Sequence, residues 1–235
     1  MRVLIFGKQF KEKDLEFVQT LLDVLHEEGF NTYIYTPYLI DIRKQVRFPG
    51  PYAPFDDHRD FLVHRIDFVI VLGGDGTMLN AVTLVRNAGV PMLGINLGRM
   101  GFLASIEKIH IRESIQKLRR GQYLIEDRSA LYLESHPELF GDIPFALNDC
   151  TLLKRDTSSM ITIHTFLNGD YLNSYWADGI IIATPTGSTG YSLSCGGPVI
   201  FPDSNNFVLT PVAPHNLNVR PIVLSDESVI SFEIE

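Results

Sequence analysis

In the first 120 residues apolar positions fall into two alternating patterns. Short apolar runs at residues 3–6, 32–35, 67–72 and 91–95 have the length and composition of strands, and 67–72 reads as a buried parallel strand. Between them, Leu15, Val18, Leu21, Leu22 and Leu25 mark one face of a helix closed by Gly29. Leu79, Val82 and Val85 mark a second that ends near Gly89, and Ile111, Ile115 and Leu118 a third stopped by Gly121. Strands alternating with helices predict an α/β domain built on a doubly wound parallel sheet over residues 1–120. Residues 37–55 break the pattern with Pro37, Pro49, Gly50, Pro51 and Pro54, and are expected to form a mobile surface loop or flap.

After Gly121 the pattern changes. Residues 123–133, 145–153, 161–167, 176–183, 207–212 and 229–234 are rich in β-branched and aromatic residues and are separated by polar or glycine turns. No amphipathic helix of ordinary length stands among them, so residues 121–235 are expected to form a mostly β domain, with the boundary at 119–122. The sequence stops within or just after its last expected strand, and the C-terminus is expected to be incomplete.

Apolar residues make up 45% of the chain and charged residues 20%, which predicts a fully folded protein. A net charge of -8 argues against a nucleic-acid partner, because such binding rests on a basic surface. No apolar run is long enough for a membrane span and no signal peptide is visible, so no membrane partner and a cytoplasmic location are expected. Cys150 and Cys195 lack CxxC spacing, the seven histidines lack ligand spacing, and no structural metal is expected.

Candidate chemistry begins with Gly73-Gly74-Asp75-Gly76-Thr77, set between a buried strand and a helix, where open α/β sheets bind ligands. Gly73, Gly74 and Gly76 let the backbone approach phosphate oxygens, and the following helix aims free N–H groups and its positive dipole end at the same place. Thr77 is read as the N-cap of that helix. Asp75 adds a carboxylate that can take a proton from an attacking hydroxyl or hold magnesium. Taken alone, Asp-Gly is as readily a tight turn. There is no GxxxxGK[ST] loop, no GxGxxG fingerprint and no GxSxG elbow.

A second stretch runs from Asp178-Gly179 through an apolar segment into Thr184-Pro185-Thr186-Gly187-Ser188-Thr189-Gly190-Tyr191-Ser192-Leu193-Ser194. Its small donors and acceptors suit sugar hydroxyls and phosphates, and Tyr191 can pack against a base, although composition alone also describes an exposed β-turn. A third, Leu147-Asn148-Asp149, ends an expected strand with an amide beside a carboxylate. An amide can read an adenine edge and a carboxylate can accept from ribose hydroxyls; an ordinary turn is the alternative.

Together and in this order these segments resemble the NAD kinases. The shared marks are the GGDGT turn, a GxxGFL stretch at Gly98-Arg99-Met100-Gly101-Phe102-Leu103, an Asn-acid pair, a DGxxxxTPTGSTAYxxSxGGPxxxP run at 178–202 and a PxxPHxLxxRP segment at 211–221. Asp149 stands where the family commonly has Glu, one methylene longer, and Gly190 where Ala is usual. The resemblance implies a phosphofructokinase-like α/β domain followed by an all-β domain, and transfer of a phosphoryl group to the 2'-hydroxyl of the adenosine ribose of NAD.

It also implies roles for individual residues. Asp75 would be the general base at that hydroxyl, with Gly76 beside it. Asn148 and Asp149 would hold the adenosine and ribose groups, and Asp178 would lie near the nicotinamide half. Thr189, Gly190, Tyr191, Ser192, Leu193 and Ser194 would line the bound NAD. His215 receives no role. ATP or polyphosphate would be the donor, with a divalent ion such as magnesium, and the protein would be a homodimer or homotetramer. Lipid and sugar kinases with a GGDG turn lack the TPTGSTGY run, and a non-catalytic dinucleotide sensor would not need Asp75. On this reading Asp75→Asn is expected to stop turnover without unfolding the protein, whereas a merely structural turn would show only a small change in stability.

Overall fold

The computed structural model describes residues 1–98, 100–156 and 159–235, and the chain divides into two compact units, Met1–Ile125 and Glu126–Glu235. The first unit alternates β1 (Arg2–Gly7), α1 (Leu15–Glu27), β2 (Asn31–Tyr35), α2 (Thr36–Ile42), β3 (Tyr52–Phe55), α3 (Asp60–His64), β4 (Phe68–Leu72), α4 (Asp75–Val85), β5 (Met92–Asn96), β6 (Ile106–Glu107) and α5 (Ile111–Arg119). Its six strands are parallel in the order β3-β2-β1-β4-β5-β6, as the alternation predicts. The order reverses between β1 and β4, and the glycine turn follows β4.

Side-chain alternation divides each central strand between two cores. Val3, Ile5, Ile70 and Leu72 pack with Leu21 and Leu25 of α1 and Ile115 of α5. Leu4, Phe6, Val69 and Val71 pack on the other face with Met78, Ala81 and Val85 of α4. Both faces are covered, which is why β4 reads as an unbroken apolar run.

The expected loop or flap at 37–55 is confined to 43–51, which holds Pro49, Gly50 and Pro51; the two ends of the stretch are regular structure. Pro37 lies in the first turn of α2, where a missing N–H removes no helical bond, and Tyr38 and Ile42, four apart, are buried together. Pro54 belongs to β3, at the edge of the sheet, where proline is tolerated. Pro37 and Pro54 therefore mark a helix start and an edge strand, whereas Pro49 and Pro51 lie in the loop between them.

The second unit contains β7 (Leu131–Tyr132), β8 (Phe145–Ala146), β9 (Asp149–Leu153), β10 (Ile161–Leu167), β11 (Asp170–Ala177), β12 (Gly179–Ala183), α6 (Tyr191–Ser194), β13 (Asn206–Val212), β14 (Ile222–Ser225) and β15 (Ile230–Ile234). Antiparallel sheets run β14-β13-β12-β9 and β11-β10-β15, with β7 and β8 as a separate pair. Ile163, Tyr175, Ile180, Ile182 and Leu209 form its main core. Three expected strands are corrected. Only Leu131–Tyr132 is extended into a ladder within 123–133, and 145–153 breaks at Leu147 and Asn148. The run 176–183 breaks at Asp178, because Ala177 pairs with Ile161 whereas Gly179 pairs with Val212 and Leu153 of the other sheet. Among the described residues, no helix is long and apolar enough to cross a membrane.

Candidate active site

The glycine turn begins where β4 ends. The Gly73 N–H donates to the Ile95 carbonyl at 3.0 Å, which fixes the turn to β5. A Cβ on Gly73 would collide with the Thr77 side chain, so residue 73 must lack one. The turn then enters α4 three residues sooner than expected: α4 starts at Asp75 and Gly74 is its N-cap, with the N–H groups of Thr77 and Met78 donating to the Gly74 carbonyl at 2.9 and 3.2 Å. Thr77 therefore lies inside the first turn and is not the cap. Helix geometry leaves the first N–H groups of α4 without intrahelical acceptors, at an end of positive dipole. At the carboxyl ends of β1 and β2, a cavity of about 410 Å³ is lined by Gly7, Lys8, Tyr35, His58 and, from α4, Asn80 and Thr83 among others, with no residue of 73–77 in its wall.

The Asp75 carboxylate is gripped by a distant segment. Phe102 donates its N–H to Oδ2 at 2.8 Å, and Leu103 and Ala104 donate theirs to Oδ1 at 2.9 and 3.2 Å. Gly101 makes this approach possible, because a Cβ there would overlap the carboxylate. Ala104 is fixed in turn by Gly94 of β5, where a Cβ would sit 2.8 Å from the Ala104 Cα. Burial pushes the Asp75 carboxyl up, but the three N–H bonds outweigh it and hold the group below the ordinary carboxylate range. It is therefore ionised at neutral pH and a weak base. Sequence reasoning quoted Gly101, Phe102 and Leu103 only as a family mark and missed their contact with Asp75; a lone glycine before two large apolar residues is its one local signal. Arg99 of the same stretch lies outside the described residues.

In the second unit, Asn148 and the hydroxyl-rich turn meet through their backbones. Asp149 opens β9, rather than ending a strand, and pairs in register with Ala183 of β12. The next residue, Thr184, donates its N–H to the Asn148 carbonyl at 2.8 Å and its hydroxyl to the Leu147 carbonyl at 2.5 Å. Gly187 lies so near that a Cβ would strike the Asn148 carbonyl. The Asp149 carboxylate accepts from the Thr151 hydroxyl at 3.0 Å and stays half-buried.

The hydroxyl-rich turn is a 3-10 turn at Thr186–Thr189 leading into α6, and not an exposed β-turn. Thr184, Ser188 and Ser192 are fully buried. Ser188 Oγ donates to the Pro185 carbonyl at 2.7 Å and accepts from the Ile200 N–H at 2.9 Å, while Ser192 Oγ pairs with Thr210 Oγ1 at 2.8 Å. These hydroxyls hold the turn from within. Gly190, Tyr191, Leu193 and Ser194 are exposed and Thr189 is half-buried, so the surface presented to solvent is a ring, an apolar side chain and small polar groups.

Asp178, the single residue between β11 and β12, forms an ion pair with Lys154 at 2.6 Å from Nζ to Oδ1. Lys154, which follows β9, was not singled out from sequence. His215 packs its ring 4.3 Å from that of Trp176 and donates its N–H to the Trp176 carbonyl at 2.9 Å, which gives it a structural partner. Among the described residues no group of three or more His, Cys, Asp or Glu side chains could hold a metal ion.

Residues 3–123 match the family model of the ATP-NAD kinase N-terminal domain, and 147–235 that of the ATP-NAD kinase C-terminal domain. An NAD kinase of Cytophaga hutchinsonii is 44% identical over 98% of this chain and 79% of its own length. One from Bacteroides fragilis is 42% identical over 100% of this chain and 80% of its own. Among solved structures, yeast NADH kinase complexed with NADH is similar with a TM-score of 0.88 at 28% identity, covering 100% of this chain and 72% of that one. An NAD kinase from Archaeoglobus fulgidus in complex with ATP gives 0.75 at 25% identity, covering 100% and 81%.

Proposed function

The chain belongs to the NAD kinase family and is an enzyme that phosphorylates NAD, and from that premise we propose that Asp75 receives the proton of the adenosine ribose 2'-hydroxyl as the phosphoryl group arrives. The observation that carries this is the carboxylate fixed at the start of α4 by three N–H donors. A carboxylate has about four lone-pair sites, so this grip leaves one for a hydroxyl and sets its direction. Its low basicity is tolerable, because a loose phosphoryl-transfer transition state demands little bond-making by the nucleophile and gains mainly from positioning.

NAD and ATP binding is part of this reading, supported by the similar yeast protein complexed with NADH and the Archaeoglobus fulgidus one in complex with ATP. Gly73, Gly74, Gly76 and Thr77 receive the donor phosphates at the helix N-terminus, and the cavity lined by Asn80 and Thr83 of the same helix takes the rest of the donor, whether ATP or the chain of polyphosphate. Magnesium is held chiefly by phosphate oxygens and water, so the expected divalent ion enters with the donor, and no step is routed through a protein-bound metal. Asn148 and Asp149 hold the adenosine and its ribose. Asp178 faces the nicotinamide half, and Thr189, Gly190, Tyr191, Leu193 and Ser194 line the dinucleotide, with Ser192 supporting them from behind. A cytoplasmic homodimer or homotetramer is part of the same reading and rests on the family resemblance. NADP formation, assayed with ATP and with polyphosphate for the wild type and Asp75→Asn, tests the proposal. Near-normal turnover in the variant would remove Asp75 from the reaction.

A further inference from the structure

Asp178 is held twice. Its backbone is fixed by its own N–H, which donates to the Val212 carbonyl at 3.0 Å, and by its carbonyl, which accepts from the Lys154 N–H at 3.0 Å. The next residue allows no slack, because a Cβ on Gly179 would collide with the Leu152 carbonyl. The second hold is the side-chain ion pair with Lys154, and for the backbone it is redundant. What the ammonium adds is charge. Lys154 is only 19% exposed and lies against Oδ1, whereas Asp178 keeps 35% of its side chain open to solvent. An ammonium this close and this shielded cancels most of the field that the carboxylate would otherwise project outward.

That matters for a dinucleotide, whose two redox forms differ in charge at one place: the oxidised nicotinamide ring is a cation and the reduced ring is neutral. A bare carboxylate beside the ring would favour the oxidised form, while a neutralised one has little means of telling them apart. We infer that Lys154 is a specificity-determining residue, which cancels the charge of Asp178 so that the site accepts NAD and NADH with similar affinity. The inference rests on the reading that Asp178 faces the nicotinamide half.

The test is calorimetric titration of NAD and of NADH into the intact protein and three variants. Lys154→Met is expected to raise the preference for NAD over NADH about three- to tenfold, the range for one unscreened charge near a partly exposed site. Lys154→Arg keeps the charge and should keep the wild-type ratio. Asp178→Asn leaves the ammonium unopposed and should move the ratio the other way. A purely structural tether would weaken both ligands equally. If Asp178→Asn changes neither affinity nor ratio, the placement of Asp178 is wrong and the inference falls with it. If Asp178→Asn shifts the ratio and folded Lys154→Met does not, the role of Lys154 alone is overturned. Should Lys154→Met fail to fold, Lys154→Gln makes the same charge change and is judged by the same ratio.

Discussion

Two glycine-containing turns, each leaving a buried five-residue strand, carry the candidate chemistry, and they are built in opposite ways. The turn at 73–77 after β4 presents a charged side chain and a helix N-terminus, and its shape is enforced from outside by the N–H groups of Phe102, Leu103 and Ala104. The segment 184–194 after β12, a turn running into α6, hides its polar groups: Thr184, Ser188 and Ser192 spend their hydroxyls inside the fold and leave Tyr191 and Leu193 exposed. The first arrangement suits reaction with a phosphate and a hydroxyl, the second a surface on which a ligand lies. Breaking either turn should therefore produce a different defect.

The largest effect is expected at Asp75. Asp75→Asn should lower kcat about 10²- to 10⁴-fold, the range for a lost acid–base group. The variant is expected to stay folded but not at full stability: Asn offers one acceptor oxygen to donors now shared by two, so at least one N–H is stranded. A loss of about 1–3 kcal/mol, read from urea unfolding, should accompany the loss of rate. Gly101→Ala leaves the carboxylate in place but forces the 101–104 segment away from it, and should reduce kcat less than Asp75→Asn while lowering the melting temperature.

In the second turn, Gly187→Ala drives a Cβ toward the Asn148 carbonyl and should weaken NAD binding about tenfold or more by displacing the turn, with kcat at saturating NAD much less affected. Equal losses of kcat in Gly187→Ala and Gly101→Ala would erase the proposed contrast. The smallest effects concern pH and Asp149. Because the folded Asp75 carboxyl is depressed, its contribution to stability is complete above the unfolded value of about 4 and is lost as pH falls through the lower folded value. Asp75 should therefore add no acid limb to a pH–rate profile between about pH 5 and 8. Asp149→Glu, restoring the longer acid usual in the family, should leave NAD affinity unchanged or improved by calorimetry.

The same contrast explains what could be read in the sequence. The parallel sheet was legible because burial on both faces writes unbroken apolar runs such as 68–72, and the GGDGT turn because Gly73, which has no room for a Cβ beside Thr77, is a local necessity. Within 37–55 the loop reading holds for 43–51 and fails at Pro37 and Pro54, because proline at a helix start or on an edge strand costs little, a distinction that depends on where the element lies in the sheet. The grip on Asp75 spans 27 to 29 positions and uses backbone N–H groups, which every residue except proline has, so no side-chain pattern records it. Lys154 was hidden for a similar reason: its partner is 24 residues away and its own neighbours read as an ordinary charged turn.

The central claim is that the turn at 73–77 performs the transfer and the segment 184–194, the turn together with α6, holds the dinucleotide. It is tested most directly by measuring kcat and the Kd for NAD side by side on Asp75→Asn and Tyr191→Ala, with melting temperature confirming the fold. The predicted result is crossed: Asp75→Asn loses about 10²-fold or more in kcat with Kd within a few-fold of wild type, while Tyr191→Ala loses roughly three- to thirtyfold in affinity and keeps most of its kcat. A near-normal kcat for folded Asp75→Asn, or the same ratio of the two losses in both variants, would contradict it.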